Sequence, residues 1–395
     1  MTREDITQEV LGLKGNNFLL ELPTGTGKSK IAIEKIKDLS LVDSRAKILI
    51  VVPRNVHKKS WEKEIKKWWP KCPFIITYTT YVSFPKYKGY WDYIIFDECH
   101  HLSERCREAL YNFTIKYSIL CSATVNKGLK DELKGVFKNL IIYKKNLREV
   151  IDNKILPDPT VYLIPLTLKN SLATENIWKN KGKSTRVISC SYAERWNYIK
   201  QKTTTVRVYC TETQYYSDLS SQIEYWKNLH MRTKSVIARN KWLRLCNDRL
   251  RWLSDKKVSY IKTLLDNFKD CRTLVFCNSI KQTESLGEYC INSKNKDSVD
   301  NLEQFNIGTI NHITACNMLN ENMNLVNCQI GIYANLNGSE AIIKQRMGRL
   351  LRHKNPVLII PYYKNTREEE IVQKMLENYN LELVKTISNI KEIKL

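Results

Sequence analysis

The chain has 395 residues, 43% hydrophobic and 10% aromatic, which is enough for two or three domains with cores of their own and unlike a disordered polymer. Its 64 Lys and Arg against 41 Asp and Glu leave a net charge of +23, a field suited to a polyanion, either nucleic acid or an acidic membrane surface. Twelve scattered cysteines without a Cys-x-x-Cys pair speak against zinc ribbons and disulfide frameworks and fit a reducing cytoplasm.

In chain order, Met1–Asp5 lacks the apolar core of a secretion signal. Short β-rich apolar runs then predict strands at Phe18–Leu22, Ile48–Val52, Phe74–Tyr78, Tyr93–Phe96, Tyr117–Cys121 and Leu140–Tyr143. None approaches the length of a membrane span. Helical periods lie between them, at Ile31–Leu39 and Trp61–Trp69. This alternation implies a doubly wound parallel sheet, in which ligands bind at the C-terminal ends of the strands. The next stretch opens with a strand at Thr160–Leu166 and continues into a polar, Lys-rich loop at Lys179–Arg186. A capping box of Thr211 and Gln214 starts a helix whose apolar stripe is Tyr215, Leu219, Ile223 and Trp226. From Arg232 to Lys257 basic residues far outnumber acidic ones, with Trp242 and Trp252 among them.

A second α/β pattern follows, with strands at Thr273–Cys277, His312–Cys316, Gln329–Tyr333 and Val357–Pro361 and helices around Ser279–Tyr289 and Ala341–Leu351. A further helix is expected at Thr366–Leu376. The fold class is therefore α/β, with one sheet domain over residues 1–147, a linker and largely helical basic insertion over 148–255, and a second sheet domain over 256–395.

Four segments carry chemistry. Pro23-Thr24-Gly25-Thr26-Gly27-Lys28-Ser29 follows a strand and opens a helix, the context of a phosphate loop. Its glycines let backbone N–H groups crowd phosphates, Lys28 reaches the β/γ oxygens and Ser29 ligates magnesium. The eight-residue loop pattern is imperfect, since Leu22 stands where its first glycine is usual. Asp97-Glu98 closes a buried strand, so Asp97 can hold the metal and Glu98 can act as general base on water. Ser122-Ala123-Thr124 ends the next strand. Gln345 and the pair Arg349 and Arg352, three apart on one helix face, can position and neutralise a γ-phosphate.

Taken together the segments resemble the motifs of superfamily 2 helicases, two-domain motors of RecA-like fold, and most of all the compact DNA helicases of bacteriophages. The resemblance covers nearly all of the chain outside about 150–255. It implies ATP and Mg2+ as cofactors and a nucleic-acid partner, DNA favoured and single-stranded or forked, in the cytoplasm of a cell or host. Arg349 and Arg352 complete the ATP site when the domains close. It further places Gln8 where an adenine-reading glutamine is expected, and Ser122, Ala123 and Thr124 as the coupling between ATP site and nucleic-acid track. Arg54, Thr79, Thr80, Ser279 and Asn324 fall in the motifs that grip the nucleic-acid backbone. A DNA translocase that does not unwind, or an RNA helicase, is the alternative function.

Overall fold

In the computed structural model the described residues are 1–39, 46–171, 174–181, 192–198, 203–316, 325–336, 346, 353–377 and 379–395. Two parallel sheets dominate them. The first is built entirely from contiguous chain: β1 (Asn17–Glu21), β2 (Lys47–Val52), β3 (Ile75–Thr80), β4 (Gly89–Asp97), β5 (Phe113–Ser122) and β6 (Ile141–Lys144), in spatial order β3-β2-β4-β5-β1-β6. All its pairings are parallel, with Leu19 opposite Leu120 and Ile50 opposite Ile95. Helices α1 (Arg3–Leu11), α2 (Lys28–Leu39) and α3 (Asn55–Trp68) lie among the connections. Strands alternate their side chains between faces, so each face has its own core. Phe18, Leu20, Ile48 and Ile50 fill one, and Leu19, Leu49, Val51 and Phe96 the other.

The second sheet is assembled from distant pieces. Strand β7 (Thr160–Leu166), read in the sequence as part of the middle segment, pairs with β15 (Val357–Tyr363) and with β16 (Val384–Thr386). The chain thus enters the second sheet before the basic helices, not after them. β11 (Thr273–Cys277), β12 (Cys290–Ile291), β13 (His312–Cys316) and β14 (Ile330–Tyr333) complete the order β12-β13-β11-β14-β15-β7-β16, again all parallel. The helix Arg367–Leu376, capped by the Thr366 hydroxyl, buries Ile371, Val372 and Met375 against this sheet's core.

The middle segment is less helical than its sequence suggests. β8 (Thr174–Lys181), β9 (Tyr192–Tyr198) and β10 (Thr203–Cys210) form a separate antiparallel sheet, with β10 central. The Lys-rich segment expected to be a loop therefore begins inside β8, and its continuation lies outside the described residues. Two long helices follow, Glu212–Thr233 and Val236–Lys256, here α7 and α8 because α4 (Glu104–Ala109), α5 (Lys127–Val136) and α6 (Leu147–Asp152) precede them. The capping box forms as expected: Thr211 Oγ1 accepts from Gln214 N at 3.1 Å while Gln214 Oε1 accepts from Thr211 N at 2.9 Å. Leu219 and Ile223 of α7 bury against Leu245 of α8, with Tyr215, Trp226 and Trp242 packed around them. Among the described residues no helix is long and apolar enough to cross a membrane.

Candidate active site

The expected chemistry collects at the C-terminal edge of the first sheet. β1 ends at Glu21 and α2 begins at Lys28, and between them Gly25 and Gly27 both adopt φ near 93°, a region open to glycine and strained for other residues. A Cβ at Gly27 would meet nothing within 4 Å, so the glycine is required by backbone conformation and not by crowding. Thr26 Oγ1 donates to Pro23 O at 2.8 Å, and Lys28 Nζ donates to Leu22 O at 3.0 Å, which ties the ammonium to the loop itself. The Thr24 hydroxyl is buried without a hydrogen-bond partner, an orphan that a bound phosphate oxygen would satisfy. Ser29 sits in the first turn of α2, where the helix N-terminus adds positive potential. These features fit a nucleotide triphosphate.

Two strands away, β4 delivers Asp97 and Glu98, which are 4% and 3% exposed. Asp97 Oδ2 accepts from the Trp61 indole N–H at 2.9 Å, and its carbonyl accepts from the Tyr81 hydroxyl at 2.8 Å. Burial pushes the Tyr81 hydroxyl pKa well up, so it remains a donor. The same cause holds the thiols of Cys99 and Cys121 protonated beside the carboxylates. Glu98 takes a left-handed backbone, φ 50° and ψ 57°, uncommon for a residue with a long side chain and typical of functional turns. No group of three or more His, Cys, Asp or Glu capable of holding a metal occurs among the described residues. The hard oxygens of Ser29 and Asp97 nonetheless suit Mg2+, which takes few protein ligands and keeps several waters.

A chain of contacts joins this edge to the end of β5. His100 Nδ1 lies 3.0 Å from Ser122 Oγ and 3.4 Å from Glu98 Oε2. Ser122 Oγ donates its own proton to Thr124 O at 2.9 Å and accepts from Thr124 N at 3.3 Å. With the hydroxyl donating to Thr124 O, the Nδ1–H tautomer of His100 is the one that completes the contact to Ser122. The carboxylate, the ring and the Ser122–Thr124 turn form one connected unit, with Ala123 buried between.

The remaining expected residues are placed less favourably. Gln8 lies at an exposed position of α1 and donates to Glu4 Oε1 at 3.2 Å, along its own helix. Arg54 is exposed after β2, whereas Thr79 is 1% exposed and Thr80 half-buried at the end of β3. Ser279 serves as N-cap of α10 (Ile280–Leu286), following α9 (Val258–Asn267), and accepts from Gln282 N at 3.1 Å. Asn324, Gln345, Arg349 and Arg352 lie outside the described residues. Their neighbour Arg346 is described: it is buried, donates to Asn335 O at 2.8 Å and stacks over Phe276 and Tyr333.

Trp61, Tyr81 and His100 hold this segment; Tyr81 and His100 fall within the helicase-like segments Thr79–Tyr81 and Asp97–His100, whereas the sequence points to no role for Trp61.

Residues 4–83 match the family model for the type III restriction enzyme res subunit, and residues 256–354 match the helicase conserved C-terminal domain. The chain is 22% identical to the DNA 3'-5' translocase XPB2 of Sulfurisphaera tokodaii, over 93% of this chain and 80% of the relative. The fold is similar to the Pyrococcus furiosus Hef helicase domain, with TM-score 0.51 and 13% identity over 94% of this chain and 97% of that one. It is also similar to S. cerevisiae Dbp5 bound to RNA and ADP BeF3, with TM-score 0.60 and 11% identity over 98% and 89%. The phosphate loop lies inside the first family match and Gln345–Arg352 inside the second, so the matches support the resemblance to superfamily 2 helicases.

Proposed function

We propose that the chain is an ATP-dependent DNA helicase or translocase, a nucleic-acid-stimulated ATPase that turns hydrolysis into movement along DNA. The observation that carries this reading is the convergence of Lys28, Asp97, Glu98 and the His100–Ser122 contact at one edge of one parallel sheet. The phosphate loop and Lys28 would bind the triphosphate, while Ser29 and Asp97 would hold Mg2+. Bound there, the ion would draw charge from the phosphate oxygens. Trp61 fixes the orientation of Asp97, and Glu98 takes the proton from the attacking water. Arg349 and Arg352 supply guanidinium groups to the γ-phosphate on domain closure. The His100–Ser122 contact gives the general base a direct connection to the Ser122–Thr124 turn, which suits a coupling element between hydrolysis and the nucleic-acid track.

DNA is favoured over RNA because the relative aligned over 93% of the chain is named a DNA translocase. Arg54, Thr80, Ser279 and Asn324 would contact its backbone, with Thr79 supporting them from within. The likeness to phage helicases rests on motif arrangement alone. ATPase activity measured in parallel with single-stranded DNA, duplex DNA, forked DNA and RNA tests the reading. Stimulation by DNA supports it, stimulation by RNA alone replaces the substrate, and no stimulation by any of the four removes the motor.

A further inference from the structure

The outer half of the α7–α8 hairpin belongs to neither sheet and has a composition unlike the rest of the chain. From Tyr225 to Asn247 it carries six Lys or Arg, namely Lys227, Arg232, Lys234, Arg239, Lys241 and Arg244, and not one Asp or Glu. Among the described residues these make a single ion pair, Arg244 to Asp248 at 3.7 Å. The turn between the helices is well formed: Lys234 closes α7 in a left-handed conformation, Ser235 caps α8, and His230 Nδ1 meets Ser235 O at 3.0 Å. Around this ordered tip the apolar side chains face outward. Met231 is 50% exposed, Val236 67% and Ile237 78%. Leu219, Ile223 and Leu245 already fill the hairpin's own core, so nothing within the hairpin requires aliphatic residues at its end.

We propose that this tip docks on nucleic acid at the point where a duplex opens into single strands. The inference rests on the DNA-motor reading and deepens it. The ring of uncompensated cations suits phosphates, and their number makes the contact strongly salt-dependent. Aliphatic side chains gain nothing from a phosphate ridge. They gain by covering the flat apolar face of a base pair, and a continuous duplex exposes no such face. A junction offers both surfaces side by side: charged backbone at the flanks and an unstacked base pair at the centre. The base of α8 is anchored for this purpose. Ser254, fully buried, accepts at its carbonyl from Gln282 Nε2 at 2.8 Å and at its hydroxyl from Asn335 Nδ2 at 3.1 Å. Asn335 O in turn accepts from Arg346, so force on the tip reaches the second sheet through buried polar contacts.

Fluorescence anisotropy with labelled single-stranded, blunt-duplex and forked DNA tests this with two variants of the full chain. One combines Arg232→Glu, Lys234→Glu, Arg239→Glu and Lys241→Glu; the other combines Val236→Ser and Ile237→Ser. The charge variant should bind forked DNA at least tenfold more weakly at about 0.1 M salt. Its dependence on log salt should be shallower by about 3 to 4 if each lost contact releases about 0.9 of a counterion. The tip variant should keep the wild-type salt slope and lose at least threefold of any preference for forked over single-stranded DNA. ATPase activity at saturating single-stranded DNA should be unchanged in both. Wild-type ATPase that responds to no nucleic acid would overturn the function and this inference together. A normal response, with both variants keeping wild-type fork affinity, would overturn the inference alone. So would a change in sedimentation without a change in DNA affinity, which would mark the tip as a contact between protein chains.

Discussion

The two parallel sheets solve similar packing problems but use buried polar groups in opposite ways. At the edge of the first sheet Asp97 and Glu98 are almost wholly buried, with the Trp61 indole donating to Asp97 and the His100 ring 3.4 Å from Glu98. In the second, Lys257 and Glu368 are both 0% exposed and meet at 2.6 Å, with Lys257 Nζ also donating to Pro361 O and Glu368 Oε2 accepting from Tyr363 N. A buried carboxylate at the sheet edge that carries the phosphate loop stands where a bound metal or a moving proton can complete the charge balance. A buried carboxylate matched to a lysine is already complete and reads as architecture. Similar residue types thus mean chemistry in one sheet and assembly in the other.

The sharpest way to break this contrast is to remove one charge from each sheet. Glu98→Gln preserves shape and abolishes the base, so turnover should fall by about 10²–10⁴-fold while the melting temperature stays close to wild type. Hydrolysis at the normal rate would remove Glu98 from the mechanism. Lys257→Met should do the reverse. It leaves Glu368 buried and unmatched and should destabilise the second domain by about 3–5 kcal/mol, read by urea unfolding. Adding Glu368→Leu should recover much of that loss. If the single variant is neutral, the pair is not the structural tie that its burial indicates.

The contrast also explains what could be read from the sequence. In the first sheet every strand comes from contiguous chain, and β3, β4 and β5 end at candidate site residues, so the apolar runs Ile48–Val52 and Tyr93–Phe96 pointed to the fold and to the candidate site together. Thr273–Cys277 and His312–Cys316 were equally legible. The position of β7 was not, because a strand's partner is fixed by tertiary packing and Thr160–Leu166 pairs with residues almost two hundred positions away. The two-residue β12 and the three-residue β16 are too short to show a period. Polar and charged residues interrupt the strands of the small antiparallel sheet (Glu175 and Lys179 in β8, Glu194 and Arg195 in β9, Arg207 in β10), which conceals them from any search for apolar runs. Trp61 reaches Asp97 from another element of the fold, and no spacing rule reveals an indole N–H on a carboxylate 36 residues away.

A smaller effect is expected where the second sheet meets α8. Ser254→Ala removes the hydroxyl that accepts from Asn335 Nδ2 and leaves a buried amide donor without that partner, at a cost of about 1–3 kcal/mol. Since Asn335 O also receives Arg346, DNA-stimulated ATPase should fall more than basal ATPase in this variant. Equal losses in both would show the network to be structural only and bring it level with Lys257 and Glu368.

The smallest effect belongs to the most legible feature. Thr211 and Gln214 announce the start of α7 from the sequence alone, and the structure forms both reciprocal bonds. Thr211→Ala nevertheless should cost only about 1 kcal/mol, since one exchanged cap bond competes with water at a half-buried helix end. Circular dichroism should show α7 intact, and fork affinity should stay within about twofold of wild type, because the hairpin tip lies at the far end of the helix. A larger loss of binding would mean that the cap governs how the arm is aimed. Legibility and energetic weight are therefore separate properties here: a capping box is readable because it is local, and for the same reason it carries little of the fold.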